Sequence, residues 1–326
     1  MATLNRREFL ATGVAGAFAS AMSGRLSAAT GDIPLVYVTA DLESHVAVVN
    51  AVTGRVLRRI ATADVPRSIE RAAGWVVVAH SEIGRVSLID TTTHQVRRVA
   101  GTFAEPRYTA AHPDRRHVFI SDAKAGEVVV VDLARGRVVG RLAVGPRARH
   151  LSLDPSGRTL WVALGSKATT LVTVDVTEPA RPRLQGRVRP PFRAHDVVMT
   201  PSGDRVWVTS GDRGTIGIYD TSTRTLVTRI AALQPPQHVA FSERGLVAYV
   251  TSDDAIRVHR LDGRLLRTGK VPVGSYNVSR GGGHVFTPSL ERGTLCLLDR
   301  NGAVRRTVDV AQSAHDACFV WGGRSV

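Results

Sequence analysis

Four histidines, His150, His195, His238 and His315, stand at comparable places in the repeated segments of this chain, and two of them sit in Ala-His-Asp triplets, at 194–196 and 314–316. Neutral imidazole nitrogen is a ligand for copper and zinc. An adjacent carboxylate, here Asp196 or Asp316, can orient such a ring through its other N–H. A second group, Arg67, Arg107, Arg149 and Arg193, occupies neighbouring positions. Guanidinium groups hold phosphate, sulfate or carboxylate through paired hydrogen bonds. The two chemistries oppose each other, because gathered positive charge disfavours the cation that the histidines favour. Two further readings stay open: an acid/base site for an organic substrate, and a polar, water-tolerant lining that binds nothing.

What must position these residues is a repeat. Aligned on its apolar runs, the chain shows the same unit seven times, as in "WVVVAHSEIGRVSLIDTTTHQVRRV", "VFISDAKAGEVVVVDLARGRVVGRL" and "WVTSGDRGTIGIYDTSTRTLVTRI". The second run of each unit ends at Asn50, Asp90, Asp132, Asp175, Asp220, Arg260 and Asp299, at intervals of 39 to 45 residues. Four short Val/Ile/Thr-rich runs per unit, broken by Gly, Pro, Asp and Ser and without helical spacing, predict an all-β, seven-bladed β-propeller. The last run, "DACFVWGG" at 316–323, has no unit of its own. It is expected as the innermost strand of the first blade, beside Val36-Tyr37-Val38, closing the ring and removing its open edges.

Residues that recur in every unit need a repeated structural cause. The aspartates ending the second run are expected to cap turns through Asx bonds, and Trp75, Trp161 and Trp207 to pack between blades. Chemistry belongs where the copies differ and the strands converge, at the mouth of the central channel. Alignment of the innermost strands places Tyr108, His150, Asp196, His238 and Asp316 in one ring, with Arg107, Arg149, His195, Gln237 and His315 one residue earlier. Strand neighbours point to opposite faces, so His195 and Asp196 can both face the axis only if a bulge intervenes. The expected ligand site is Arg67, Arg107, Arg149, His150, Arg193, His195, Asp196, His238, His315 and Asp316, with the four histidines as candidate metal ligands.

The stretch "VVVVDLARGRVVGRLAVGPRARHLSLDPSGRTLWVAL" (128–164), with "YVTADL" at 37–42 and "YVTSDD" at 249–254, resembles the YVTN-type (YncE-like) β-propeller repeat family from about residue 35 onward. The resemblance implies the propeller fold and a non-enzymatic or unassigned role in the cell envelope. Related propellers hold copper clusters, modified haems or lyase sites. "RSIERAAG" and "YNVSRGGG" depart from the repeat by losing its Pro/Gly turn.

The first thirty residues carry Asn5-Arg6-Arg7-Glu8-Phe9-Leu10, a mildly apolar Gly/Ala-rich stretch and Ser27-Ala28-Ala29. This reads as a twin-arginine signal peptide over 1–29, followed by the propeller over 30–326, and predicts export to the periplasm or outside the cell. No segment approaches the length of a membrane span. With a formal charge of +15 over 326 residues, the chain stays strongly basic after such a cut. That field favours an anionic small molecule or an envelope polymer as partner. Two cysteines, Cys296 and Cys318, are expected as unpaired buried thiols, and without Cys-x-x-Cys-His there is no covalent haem. No Gly-rich phosphate loop, Gly-x-Ser-x-Gly elbow, His-Glu-x-x-His helix or recognition helix occurs, so sequence-specific nucleic-acid binding is not expected. The leading expectation is an exported, soluble, monomeric binding or interaction module with its ligand at the channel mouth. The alternatives are a metal-dependent lyase or oxidoreductase using the same residues, and a basic scaffold for anionic polymers.

Overall fold

The computed structural model describes residues 32–322; the stretch 1–29, read from the sequence as a twin-arginine signal, lies outside them. The described residues form 28 strands and no helix, arranged as seven four-stranded antiparallel sheets in a ring, a seven-bladed β-propeller. Blade 1 is made of Ile33–Ala40, His45–Asn50 and Val56–Ala61 together with the C-terminal strand Ala314–Gly322. Blades 2 to 7 follow in chain order, each running from an inner strand at the channel to an outer strand at the rim.

The two middle strands of each blade read as nearly continuous apolar runs because both of their faces are covered by neighbouring blades. Val128, Val129, Val130 and Val131 of blade 3 are all fully buried. The core is accordingly divided into clusters, most of them between adjacent blades. In one, Trp161 and Leu171 of blade 4 pack against Val197, Met199, Val206 and Tyr219 of blade 5. Outer strands such as Val304–Asp309 and Leu265–Lys270 are largely exposed, and much of the positive charge sits there. Trp161 and Trp207 are fully buried, whereas Trp75 is partly exposed beneath the Arg97 guanidinium, 4.7 Å from its ring centre.

The repeated aspartates cap turns. Asp90 Oδ1 accepts the N–H groups of Thr92 and Thr93 at 2.9 and 2.7 Å, and Asp299 Oδ1 those of Asn301 and Ala303 at 2.8 and 3.0 Å. Both cysteines are buried free thiols.

Ring closure pairs Val36 with Phe319, Tyr37 with Cys318 and Val38 with Ala317. Phe319 also stacks on Phe286 of blade 7, with ring centres 6.1 Å apart and planes 6° from parallel. It lies directly over Gly281 and Gly282, where an added Cβ would overlap its ring. Gly281 and Gly282, in the glycine run that breaks the repeat pattern, thus make room for the aromatic residue that closes the ring.

Gly281→Ala is expected to destabilise the protein by about 1–3 kcal/mol through overpacking. In a Phe319→Ala background the same change should cost only a few tenths of a kcal/mol. Thermal melts of the four proteins check this; equal losses in both backgrounds would contradict the packing account.

Candidate metal and anion site at the channel mouth

The inner strands of blades 1 to 6 each carry one extra residue at their start. In blade 1, Ala314 pairs with Ala40 and Ala317 with Val38, so two residues face Thr39 alone; the same shift occurs in blades 2, 3 and 4. In blade 5, His195 N–H donates to Thr209 O at 2.7 Å while Thr209 N–H donates to Asp196 O at 3.1 Å. Blade 6 repeats this with Gln237, Thr251 and His238. Such a bulge frees two successive side chains from strict alternation, which is the condition the sequence left open for His195 and Asp196.

A buried hydroxyl holds several of these bulges. Thr209 Oγ1 accepts Asp196 N–H at 3.0 Å and donates to Gln237 O of the next blade at 2.7 Å. Thr39 Oγ1 accepts Asp316 N–H at 3.0 Å and donates to Arg67 O at 2.9 Å. Thr251 does the same between His238 N–H and Tyr276 O. These are the threonines of the Tyr/Trp-Val-Thr repeats, so the recurring motif itself sets the mouth.

Three histidines from three successive blades converge there. The ring centre of His150 lies 4.5 Å from that of His195 and 5.0 Å from that of His238, and the latter two are 5.3 Å apart. One ligand nitrogen from each falls within 4.8 Å of the others. His195 Nδ1 is 3.0 Å from Ser166 O, which can only accept, so Nδ1 carries the proton and Nε2 a lone pair. His238 Nδ1 lies 3.3 Å from Asp196 Oδ2, which assigns its tautomer in the same way. Both nitrogens of His150 are buried without a hydrogen-bond partner.

Burial holds His150 well below the ordinary histidine range, helped by its two histidine neighbours and Arg149. Burial likewise brings His195 down to about 4. Both rings are therefore neutral near pH 7, the form that ligates metal. Gly211 backs His195, since a Cβ there would sit 2.9 Å from the imidazole Cγ.

Asp196 serves the next blade rather than its own histidine. Its Oδ1 accepts Val197 N–H at 2.9 Å, and its Oδ2 accepts Val239 N–H at 3.2 Å and faces His238. Asp316 is built identically, with Oδ1 on Ala317 N–H at 2.8 Å and Oδ2 on Ile69 N–H at 3.2 Å. The position matching His238 is there Ser68, so no second histidine pair forms.

His315 stands apart from the three. Its Nδ1 turns to Asp41 Oδ2 at 3.4 Å, and burial together with Arg67 and Arg107 holds it uncharged. Arg67, Arg107 and Arg149 occupy one register position in three successive blades, whereas Arg193 precedes the bulge and is exposed. The sequence reading had no signal for Asp41, for the Ser166 carbonyl or for Glu70. Glu70 is a channel-side carboxyl three residues beyond Arg67, the one acidic group on an inner strand below the mouth. Burial raises it to about 7, and its Oε2 has no hydrogen-bond partner. His80 is fully buried between Asp64 O and Ser87 Oγ, a structural role. A cavity of about 570 Å³ opens at the opposite end, lined by Val198, Met199, Ala240, Phe241 and Arg280 among others.

No protein-family model matches this chain, and no curated protein matches its sequence. Solved structures resemble it in fold. A functionally unknown protein from Desulfotomaculum acetoxidans superposes with a TM-score of 0.77 at 14% identity, covering 88% of this chain and 99% of its own. Hydrazine synthase of Kuenenia stuttgartiensis gives 0.68 at 17%, covering 79% and 90%. Apo AztD from Citrobacter koseri gives 0.67 at 12%, covering 90% and 100%. Identities this low establish the shared propeller and nothing about ligands.

Two measurements follow. Thr209→Val should destabilise by about 1–3 kcal/mol by leaving Asp196 N–H and Gln237 O unpaired, with Thr209→Ser near wild type in a urea melt. Glu70 has a folded pKa above its unfolded value, so its penalty is absent below about pH 4.5 and complete above about pH 7. Glu70→Gln should therefore raise the melting temperature more around pH 8 than around pH 5; an equal gain at both would show that the carboxyl does not titrate there.

Proposed function

We propose that this protein is a binding module that holds a transition metal ion, zinc or copper, at the channel mouth through His150, His195 and His238. The observation that carries the reading is the convergence of three imidazoles, two with Nδ1 held by Ser166 O and by Asp196 Oδ2, and the third with both nitrogens buried and unpartnered. An apolar or merely water-lined mouth gives no reason to bury a histidine without a hydrogen bond, which costs roughly 1–3 kcal/mol. Zinc–imidazole bonds near 2.0–2.1 Å call for nitrogens about 3.3 Å apart, so ligand nitrogens that lie within 4.8 Å of one another draw closer as the ion binds. Three protein ligands leave a fourth position open, as in sites that exchange or bind a further ligand.

The roles within the site follow from these contacts. His238 is oriented by Asp196; His195 is oriented by Ser166 O and backed by Gly211. His315, engaged with Asp41, supplies no ligand in this reading. The likeness of the repeats to the YVTN-type (YncE-like) family, and the twin-arginine segment ahead of them, support a role in the envelope, where a protein exported already folded would meet or carry the metal.

Elemental analysis of the full chain purified through its own export route, followed by calorimetric titration of the metal-free protein with zinc and copper, tests the proposal. His150→Ala and His195→Ala should each weaken binding at least a hundredfold, Asp196→Asn about ten- to a hundredfold, and His315→Gln should leave it unchanged. No uptake of either metal, or unchanged affinity in the His150 and His195 variants, overturns it.

A further inference from the structure

We infer that the open position on the metal is filled by a small oxygen anion, a phosphate-type oxyanion or a carboxylate, whose remaining oxygens are held by Arg107 and Arg149. This rests on the metal reading above. The same bulge that turns His195 toward the mouth occurs in blades 3 and 4, and Arg107 and Arg149 hold the matching position there. The Arg149 guanidinium lies 5.8 Å from the ring centre of Tyr108, and that ring is 4.1 Å from the ring of His150. Tyr108 thus forms a shared wall between the triad and the guanidinium. Arg149 Nε is buried without a hydrogen-bond partner.

Charge makes the same case. Among the described residues Arg107 has one ion pair, to Glu105 at 3.4 Å, and neither Arg67 nor Arg149 has any. Burial and the charge of Arg149 both disfavour a protonated Arg107. A divalent ion held by the three imidazoles would add two further positive charges. Like charges gathered out of water are costly unless compensated, and Asp196 is already committed to His238 and two backbone N–H groups. An anion with one oxygen on the metal and the others on planar guanidinium forks supplies that compensation with matching geometry. It also resolves the opposition seen in the sequence: the histidines and arginines serve the two ends of one ligand rather than competing for it.

The cobalt(II)-loaded protein, whose visible absorption reports its ligands, tests this by titration with inorganic phosphate and, separately, acetate. The wild type should show a saturable spectral change with at least one of them, and which one responds more strongly decides between the two anion classes. Arg107→Gln and Arg149→Gln should load cobalt as the wild type does, showing an intact fold and triad, yet bind the anion about tenfold or more weakly. A cobalt spectrum unmoved by both anions, or anion affinity unchanged in both variants, overturns the inference while leaving the metal site standing. Failure of the wild type to take up cobalt would instead count against the metal reading, and the bridging anion would fall with it.

Discussion

The bulge at the start of the inner strands is the constraint on which the mouth of this propeller depends. A regular strand would turn every second side chain into the wall between blades, and only one of His195 and Asp196 could act at the channel. The extra residue frees both, and the buried threonine hydroxyl opposite it fixes the distortion by accepting the bulged N–H. The same hydroxyl donates to a carbonyl of the next blade, so one side chain sets the local backbone and the spacing between blades. Threonine suits the place because its methyl group packs in the pleat while its oxygen serves both bonds.

Burial then decides the charge state of what the bulges present. His150 and His195, withdrawn from water at the mouth, are held neutral, while the carboxyls of Asp316 at the mouth and Glu70 below it are pushed up, to about 6 and about 7. These linkages act in opposite directions. Depressed histidines make the folded state more stable as pH rises from about 4 to about 6.5, and raised carboxyls make it less stable over a similar range. Acidification across that range thus removes stability through the histidines and restores part of it through the carboxyls. Near neutral pH the mouth thus combines the uncharged imidazoles of His150 and His195 with the guanidinium groups of Arg107 and Arg149.

Much of the fold was legible because each repeat restates it. The period, the capping aspartates and the unpaired last run predicted seven blades and a closing strand beside Val36–Val38, as the register shows. The glycine run at 281–283 was visible but unexplained, since Phe319, which packs on Gly281 and Gly282, is distant in sequence and meets them only on closure. For the site, alignment located the positions but not the partnerships. Asp196 reads as the neighbour of His195 and is the partner of His238, a contact between blades that no local pattern encodes. His315 matches His195 in sequence, yet Asp41 draws its Nδ1 away, and Arg193 lies just outside the bulge. Glu70 gave no signal because its distinction is burial, which one strand's sequence does not state.

Three imidazoles, and not four, form the ligand set proposed at the mouth. X-ray absorption on the zinc-loaded protein measures this directly. Three imidazole nitrogens at about 2.0–2.1 Å with one further light atom are predicted, with one imidazole fewer in His150→Ala. A shell of four imidazoles, a shell with none, or a spectrum unchanged by His150→Ala would contradict it.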